Sequence, residues 1–230
     1  MIVGAHSHDL LPRGERVGRV VVTQAGSFGD HLGRIEIDAG SVSASVVEVG
    51  DAAPHPKVLA EADRIEAEVA DALAEEIGVA DDRLDAAWIA GMLRTRMHAD
   101  VGLFPDGLTN GALPPGPVTR GALWTASPSS NNPGVVELTG RQLRALLERA
   151  ADPAFSRERP RVLRGRARGR LHVAGIAPRA IDDARTYSVA GSDFVLDPYG
   201  GYVDPGWRLA PRYDFPVTIR EAIEDYFGRV

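Results

Sequence analysis

The sequence predicts a mixed α/β chain built as a β-rich segment, a connecting helix and a larger mixed domain. Three observations carry this. Runs of β-branched residues separated by glycine turns fill residues 1–50. A stretch from Lys57 to Ile77 repeats its apolar residues every three or four positions. From residue 79 onward, strand-like and helix-like segments alternate. With 230 residues, 44% hydrophobic and 25% charged, the chain has the composition of a folded protein with a sizeable core.

The elements follow in order. Ile2–Val3, Val17–Gln24, Arg34–Asp38 and Ser43–Val49 read as strands, with turns at Gly14, Gly26, Gly29, Gly33 and Gly40. Pro54 and Pro56 break the pattern, and Pro56 suits a first helical turn. The helix then carries Val58, Ala62, Ile65, Val69, Leu73 and Ile77 on one face, with acidic residues opposite and Gly78 as its stop. Leu84–Met97 is a helix, Ala99–Phe104 a buried strand, and Pro105–Pro117 a Gly/Pro loop. Val135–Leu138 is a strand, and Thr139 caps the helix Gly140–Ala151. Strands near Leu171–Ala174 and Tyr187–Ala190, a loop at Asp197–Gly206 and a closing helix Thr218–Gly228 complete the chain. The expected division is 1–50, 51–78 and 79–230.

A net charge of −6 argues against nucleic acid and against an anionic membrane surface as partners. No run approaches the roughly 18 apolar residues of a membrane span. Met1–Leu11 lacks the pattern of a signal peptide, and the cellular location is otherwise undetermined. With no cysteine, disulfides, thiol catalysis and Cys-ligated zinc are excluded. The arginine-rich run Arg157–Arg170 has no interleaved aromatics and reads as a solvated loop.

Gly4-Ala5-His6-Ser7-His8 follows directly on the first strand. Residues two apart on an extended chain point the same way, so His6 and His8 project together. Two ligands do not build a metal site alone, and a bare His-x-His is more often a pair of surface histidines. The surroundings change that weighing. After the histidines come Gln24-Ala25-Gly26 and Leu32-Gly33-Arg34. Further on lie Ala87-Trp-Ile-Ala-Gly-Met-Leu-Arg94, Leu113-Pro-Pro-Gly116-Pro-Val-Thr119, Val135-Val-Glu-Leu-Thr-Gly140-Arg-Gln-Leu143 and Gly201-Tyr202. In this order they resemble the 5′-nucleotidase family, from the end of its metallophosphatase domain through its C-terminal domain.

The resemblance implies a fold: terminal strands of a metallophosphatase β-sandwich, a bridging helix, and a 5′-nucleotidase C-terminal domain. It implies hydrolysis of nucleotide phosphate esters with two divalent metals such as zinc or manganese, His6 and His8 each serving a different one. The family's other metal ligands and its catalytic histidine have no match here. The expectation is a fragment, or a product without the catalytic core, that is inactive and holds no dimetal centre alone. A chain carrying the rest of the phosphatase domain, or a second copy, is the expected protein partner.

The resemblance also places a nucleoside pocket, and this sequence departs from it. Ser129 stands where the family has an aromatic after Pro128, Gly200 where it has an aspartate, and Asn110 near its arginine. Asn131 and Phe194 match, Tyr202 closes the Gly-rich loop, and Tyr199 offers a replacement ring. Core packing competes as the reading for Phe194 and Tyr202, and a turn role for Asn131. The leading function is therefore the nucleoside-binding part of a metallophosphatase. The alternative is a non-catalytic binding module of the same descent.

Overall fold

The computed structural model describes residues 1–5, 8–158 and 169–228. Contacts divide it into two compact units, whose described residues are those up to Ile65 and those from Glu66 onward.

In the first unit, β1 (Ile2–Val3), β2 (Glu15–Val17) and β3 (Val20–Thr23) form a sheet in the order β1-β3-β2. The single strand expected over Val17–Gln24 is thus two. Val17 pairs with Val20 across a two-residue loop in which Gly18 has φ +60°, a tight hairpin that the uninterrupted β-branched run conceals. β4 (His31–Asp38) and β5 (Ser41–Glu48) make a second hairpin, turned by Ala39 and Gly40, both at positive φ. These strands leave Ile2, Val3, Val17, Leu32, Ile37 and Val47 exposed.

Helix α1 (Pro56–Ala74) crosses from one unit into the other and has no buried residue; Val58, Ile65, Val69 and Leu73 are all exposed. It ends before the expected Ile77. The next residues form β6 (Glu76–Ala80), and strand pairing overrides the helical periodicity there.

In the second unit, Asp85 caps α2 (Ala86–Arg96) by accepting from the Ala87 and Trp88 amides. β7 (Val101–Pro105) is buried along its whole length. β8 (Gly116–Thr119) pairs antiparallel with β6 and leads into α3 (Arg120–Ala126), a short helix that too few turns made visible in sequence. Then come β9 (Pro133–Thr139), α4 (Gly140–Ala151) and α5 (Pro153–Glu158). After residues 159–168, which hold most of the arginine run and lie outside the described residues, come β10 (Leu171–Ala174), β11 (Thr186–Ser192) and α6 (Asp193–Leu196). β12 (Arg212–Tyr213) and α7 (Ile219–Phe227) close the chain. Both α4 and α7 start with a capping box, Thr139/Gln142 and Thr218/Glu221.

The main sheet has the order β10-β7-β11-β9-β12, with β7 and β11 parallel and the other pairs antiparallel. On one face Val101, Leu103, Val136, Leu138 and Val189 pack with Leu143 and Leu146 of α4. On the other face Gly102 lets β7 approach the α2 backbone, since a Cβ there would meet the Ala90 carbonyl. The Asp100 carboxylate accepts from the Ser188 amide at 3.0 Å and its hydroxyl at 3.1 Å, tying the start of β7 to β11.

Candidate functional site

The residues singled out in sequence fall in two places, one in each unit. In the first unit, His6 lies outside the described residues. His8 follows the end of β1 in the left-handed region (φ 62°), its ring edge-on to Phe28 with centroids 5.6 Å apart. The chain around it is held to the end of β3: Gly4 donates to the Thr23 carbonyl, Leu11 to that of Gln24, and Gly26 to that of Asp9. Among the described residues no group of three or more His, Asp or Glu could hold a metal ion. The described residues therefore do not make a dimetal centre by themselves.

The second place is one end of the main sheet. β9 and β11 run antiparallel with Ser192 opposite Pro133, so the residues before β9 meet those after β11. The Asp193 amide donates to the Asn132 carbonyl and the Ile219 amide to that of Asn131. This register joins two side chains 62 positions apart: the Asn131 amide donates to the Asp193 carboxylate at 2.5 Å. The same amide nitrogen lies 3.4 Å from the Tyr199 hydroxyl, and its oxygen accepts from the Ser129 hydroxyl at 2.6 Å. Both polar ends of Asn131 are thus held within the protein, which fixes its orientation.

Ser129 is buried at 5% exposure. Where the resemblance calls for an aromatic ring, the structure has a hydroxyl that positions Asn131. Gly200 is equally constrained. A Cβ there would run into the Phe194 carbonyl oxygen, so this backbone leaves no space for the family's aspartate. Gly201 follows at φ 78° and turns the chain into Tyr202. Tyr202 itself is 1% exposed and belongs to the core, its ring edge-on to Phe155 and Phe194. Phe194 is half-buried, packed on the core and edge-on to Tyr199 at 5.8 Å. Tyr199 is 57% exposed and is the ring of this group that faces solvent most. The main-chain N–H of Asn110 donates to the Ala126 carbonyl, and its buried side-chain oxygen has no hydrogen-bond partner among the described residues.

Three members of the cluster escaped the sequence reading. Asp193 and Asp197 flank Phe194, and Tyr213 of β12 donates its hydroxyl to Asp197 at 2.7 Å. Their signal is an Asp directly before Phe194 and a second one four residues later. Burial, and then the Asp193 and Asp197 charges, push the Tyr199 phenol well above its ordinary range. Burial and the bond to Asp197 do the same for Tyr213. No basic side chain is bonded to Asp193 or Asp197 among the described residues. The group is therefore a negatively charged, tyrosine-lined surface. It can accept hydrogen bonds from a flat neutral ligand and repels an anion.

Comparison with known proteins finds relatives for the chain as a whole. Residues 69–204 match the family model described as "5'-nucleotidase, C-terminal domain". An uncharacterized metallophosphoesterase, YunD of Bacillus subtilis, is 28% identical over 208 residues, covering 81% of this chain and 45% of the relative. The trifunctional nucleotide phosphoesterase protein YfkN of the same organism is 27% identical over 177 residues, covering 64% of this chain and 12% of the relative. Among solved structures, a putative 5′-nucleotidase from Staphylococcus aureus superposes over 99% of this chain and 53% of its own, with TM-score 0.69 and 18% identity. The 5′-nucleotidase precursor of Thermus thermophilus covers 99% of this chain and 54% of its own, with TM-score 0.57 and 19% identity. These two establish likeness of fold. The chain spans about half, or less, of the length of the relatives it matches.

Proposed function

Since this chain belongs to the 5′-nucleotidase family through its C-terminal domain, we propose that residues 79–230 form a nucleoside-binding specificity domain of a metallophosphoesterase, with 51–78 as the connecting helix and 1–50 contributing His6 and His8 to a metal site completed elsewhere. The observation that carries this reading is the meeting of Asn131, Phe194 and Tyr199 at one end of the main sheet, where the resemblance puts the base. The ligand is a nucleoside or nucleotide, held through its base by ring contact and hydrogen bonding. The phosphate gains little here, because the charged groups of the cluster are two carboxylates.

On this reading the chain alone does not hydrolyse nucleotides. Water activation at a metal needs three or more protein ligands and an open position, and two histidines do not supply them. Purified chain with added manganese or zinc is expected to release no phosphate from AMP above background. Turnover at an ordinary enzyme rate, lost in His6→Ala, would overturn this.

A non-catalytic binding module remains the second reading, and a specific observation favours it. Gly200 has no space for the family's aspartate, and Asn131 spends its amide on Ser129 and Asp193. Supplying a metallophosphatase domain as a separate chain separates the two readings. Restored hydrolysis supports the enzyme, and retained nucleoside binding without restored hydrolysis supports the module.

A further inference from the structure

Away from that cluster, a cavity of about 910 Å³ lies along β10, the edge strand of the main sheet. Five consecutive residues, Gly169 to Val173, all line it. Successive residues of a strand point to opposite faces, so a cavity that touches Leu171, His172 and Val173 of β10 together runs along the strand's open edge. The two faces differ in chemistry. Leu171 and Val173 turn toward α4, where Leu147 and Ala150 line the same cavity. Arg170 and His172 turn to the opposite face.

Among the described residues the edge is unpaired in its backbone too. The Asp106 amide donates to the Arg170 carbonyl, so Arg170, His172 and Ala174 direct their peptide groups toward β7. Leu171 and Val173 direct theirs outward, and none of these outward groups has a partner among the described residues. The charge is cationic. Arg144 is tied to Asp183 at 2.9 Å and His172 to Asp106 at 2.7 Å, while Arg170 and Arg179 have no ion pair among the described residues. Among the described residues Glu148 is the one carboxylate in the lining.

We propose that the open edge of β10 binds an extended acidic peptide segment as an added strand, with apolar side chains toward α4 and acidic ones toward Arg170, assisted by Arg179. Backbone hydrogen bonds to Leu171 and Val173 hold such a segment, and the two faces set its alternating pattern. This stands independently of the nucleoside reading.

The test uses the full chain and fluorescent heptapeptides alternating Glu with Val, or Lys with Val, followed by anisotropy. Val173→Pro removes one outward N–H and leaves the bonds to β7 in place, a change an edge strand tolerates. The Glu/Val peptide is expected to bind, the Lys/Val peptide not. Binding is expected to weaken at least tenfold in Val173→Pro and in Arg170→Glu/Arg179→Glu, each checked for unchanged circular dichroism. Should Val173→Pro misfold, N-methylation of alternate peptide bonds in the Glu/Val peptide gives the same reading from the ligand side. The proposal is overturned if neither peptide binds, if both bind alike, or if binding survives loss of the backbone hydrogen bonds. The last result, with inorganic phosphate competing, marks a simple anion site.

Discussion

At the scale of single residues, the cluster at the sheet end is governed by two carboxylates in a half-buried setting. Tyr199 and Tyr213 are both held above the ordinary phenol range. The sign of the consequence follows from linkage. An unfolded tyrosine loses its proton near pH 10, and the folded ones hold theirs to higher pH. Their contribution to stability is complete below about pH 10 and is lost as pH rises beyond it. The melting temperature is therefore expected to fall steeply on the alkaline side, and Tyr213→Phe should flatten that limb. Asp193→Asn keeps the shape of the Asn131 contact and removes one charge. It should bring the Tyr199 titration, followed by phenolate absorbance, part of the way back toward normal, burial being the larger cause. An unchanged titration would show that Asp193 does not act on Tyr199. How far these residues were legible in sequence differs. Phe194 and Asn131 matched a motif, whereas Asp193 and Tyr213 join them through the β9–β11–β12 register, which no local pattern encodes.

At the scale of elements, sequence and structure part where pairing competes with periodicity. The helices α4 and α7 were readable because cap residues and apolar spacing agree. The end of α1 was not, because Glu76–Ala80 continues its spacing yet takes β8 as a partner. The parallel placement of β7 beside β11 is also invisible locally, and the Asp100 carboxylate is one side chain that fixes it. Its bonds to Ser188, followed by the Arg185 charge, hold it below the usual carboxylate range. A depressed carboxylate adds stability above its unfolded pKa near 4, lost as pH falls through the folded value. Asp100→Asn is expected to lower stability at neutral pH by about 1–2 kcal/mol and to reduce acid sensitivity. Denaturant melts at neutral and acid pH check both, and equal acid sensitivity in mutant and parent removes Asp100 from the account.

At the scale of the whole molecule, the apolar surface is unevenly disposed. The larger unit encloses a core in which Leu103, Leu138, Leu143, Leu146 and Val189 are fully buried. The N-terminal unit leaves strand residues Ile2, Val3, Val17, Leu32, Ile37 and Val47 in solvent. Leu32 and Val47 are cross-strand partners, so their exposure is a patch and not scattered single residues. Helix α1 adds Val58, Ile65, Val69 and Leu73. Exposed apolar strands and an uncovered amphipathic helix favour association, each Å² removed from water contributing roughly 25 cal/mol. The chain is therefore expected to dimerise, or to pair with a chain supplying the rest of a metallophosphoesterase domain. Light scattering across a concentration series checks the first arm, and a strictly monomeric mass at high concentration counts against it. Leu32→Lys with Val47→Glu should shift the series toward monomer, since the new cross-strand pair keeps the hairpin register while removing the apolar patch. The same double substitution should leave nucleoside binding intact, because Asn131, Phe194 and Tyr199 belong to the other compact unit. Binding lost along with association would mean that the nucleoside site is assembled between copies and not within one chain.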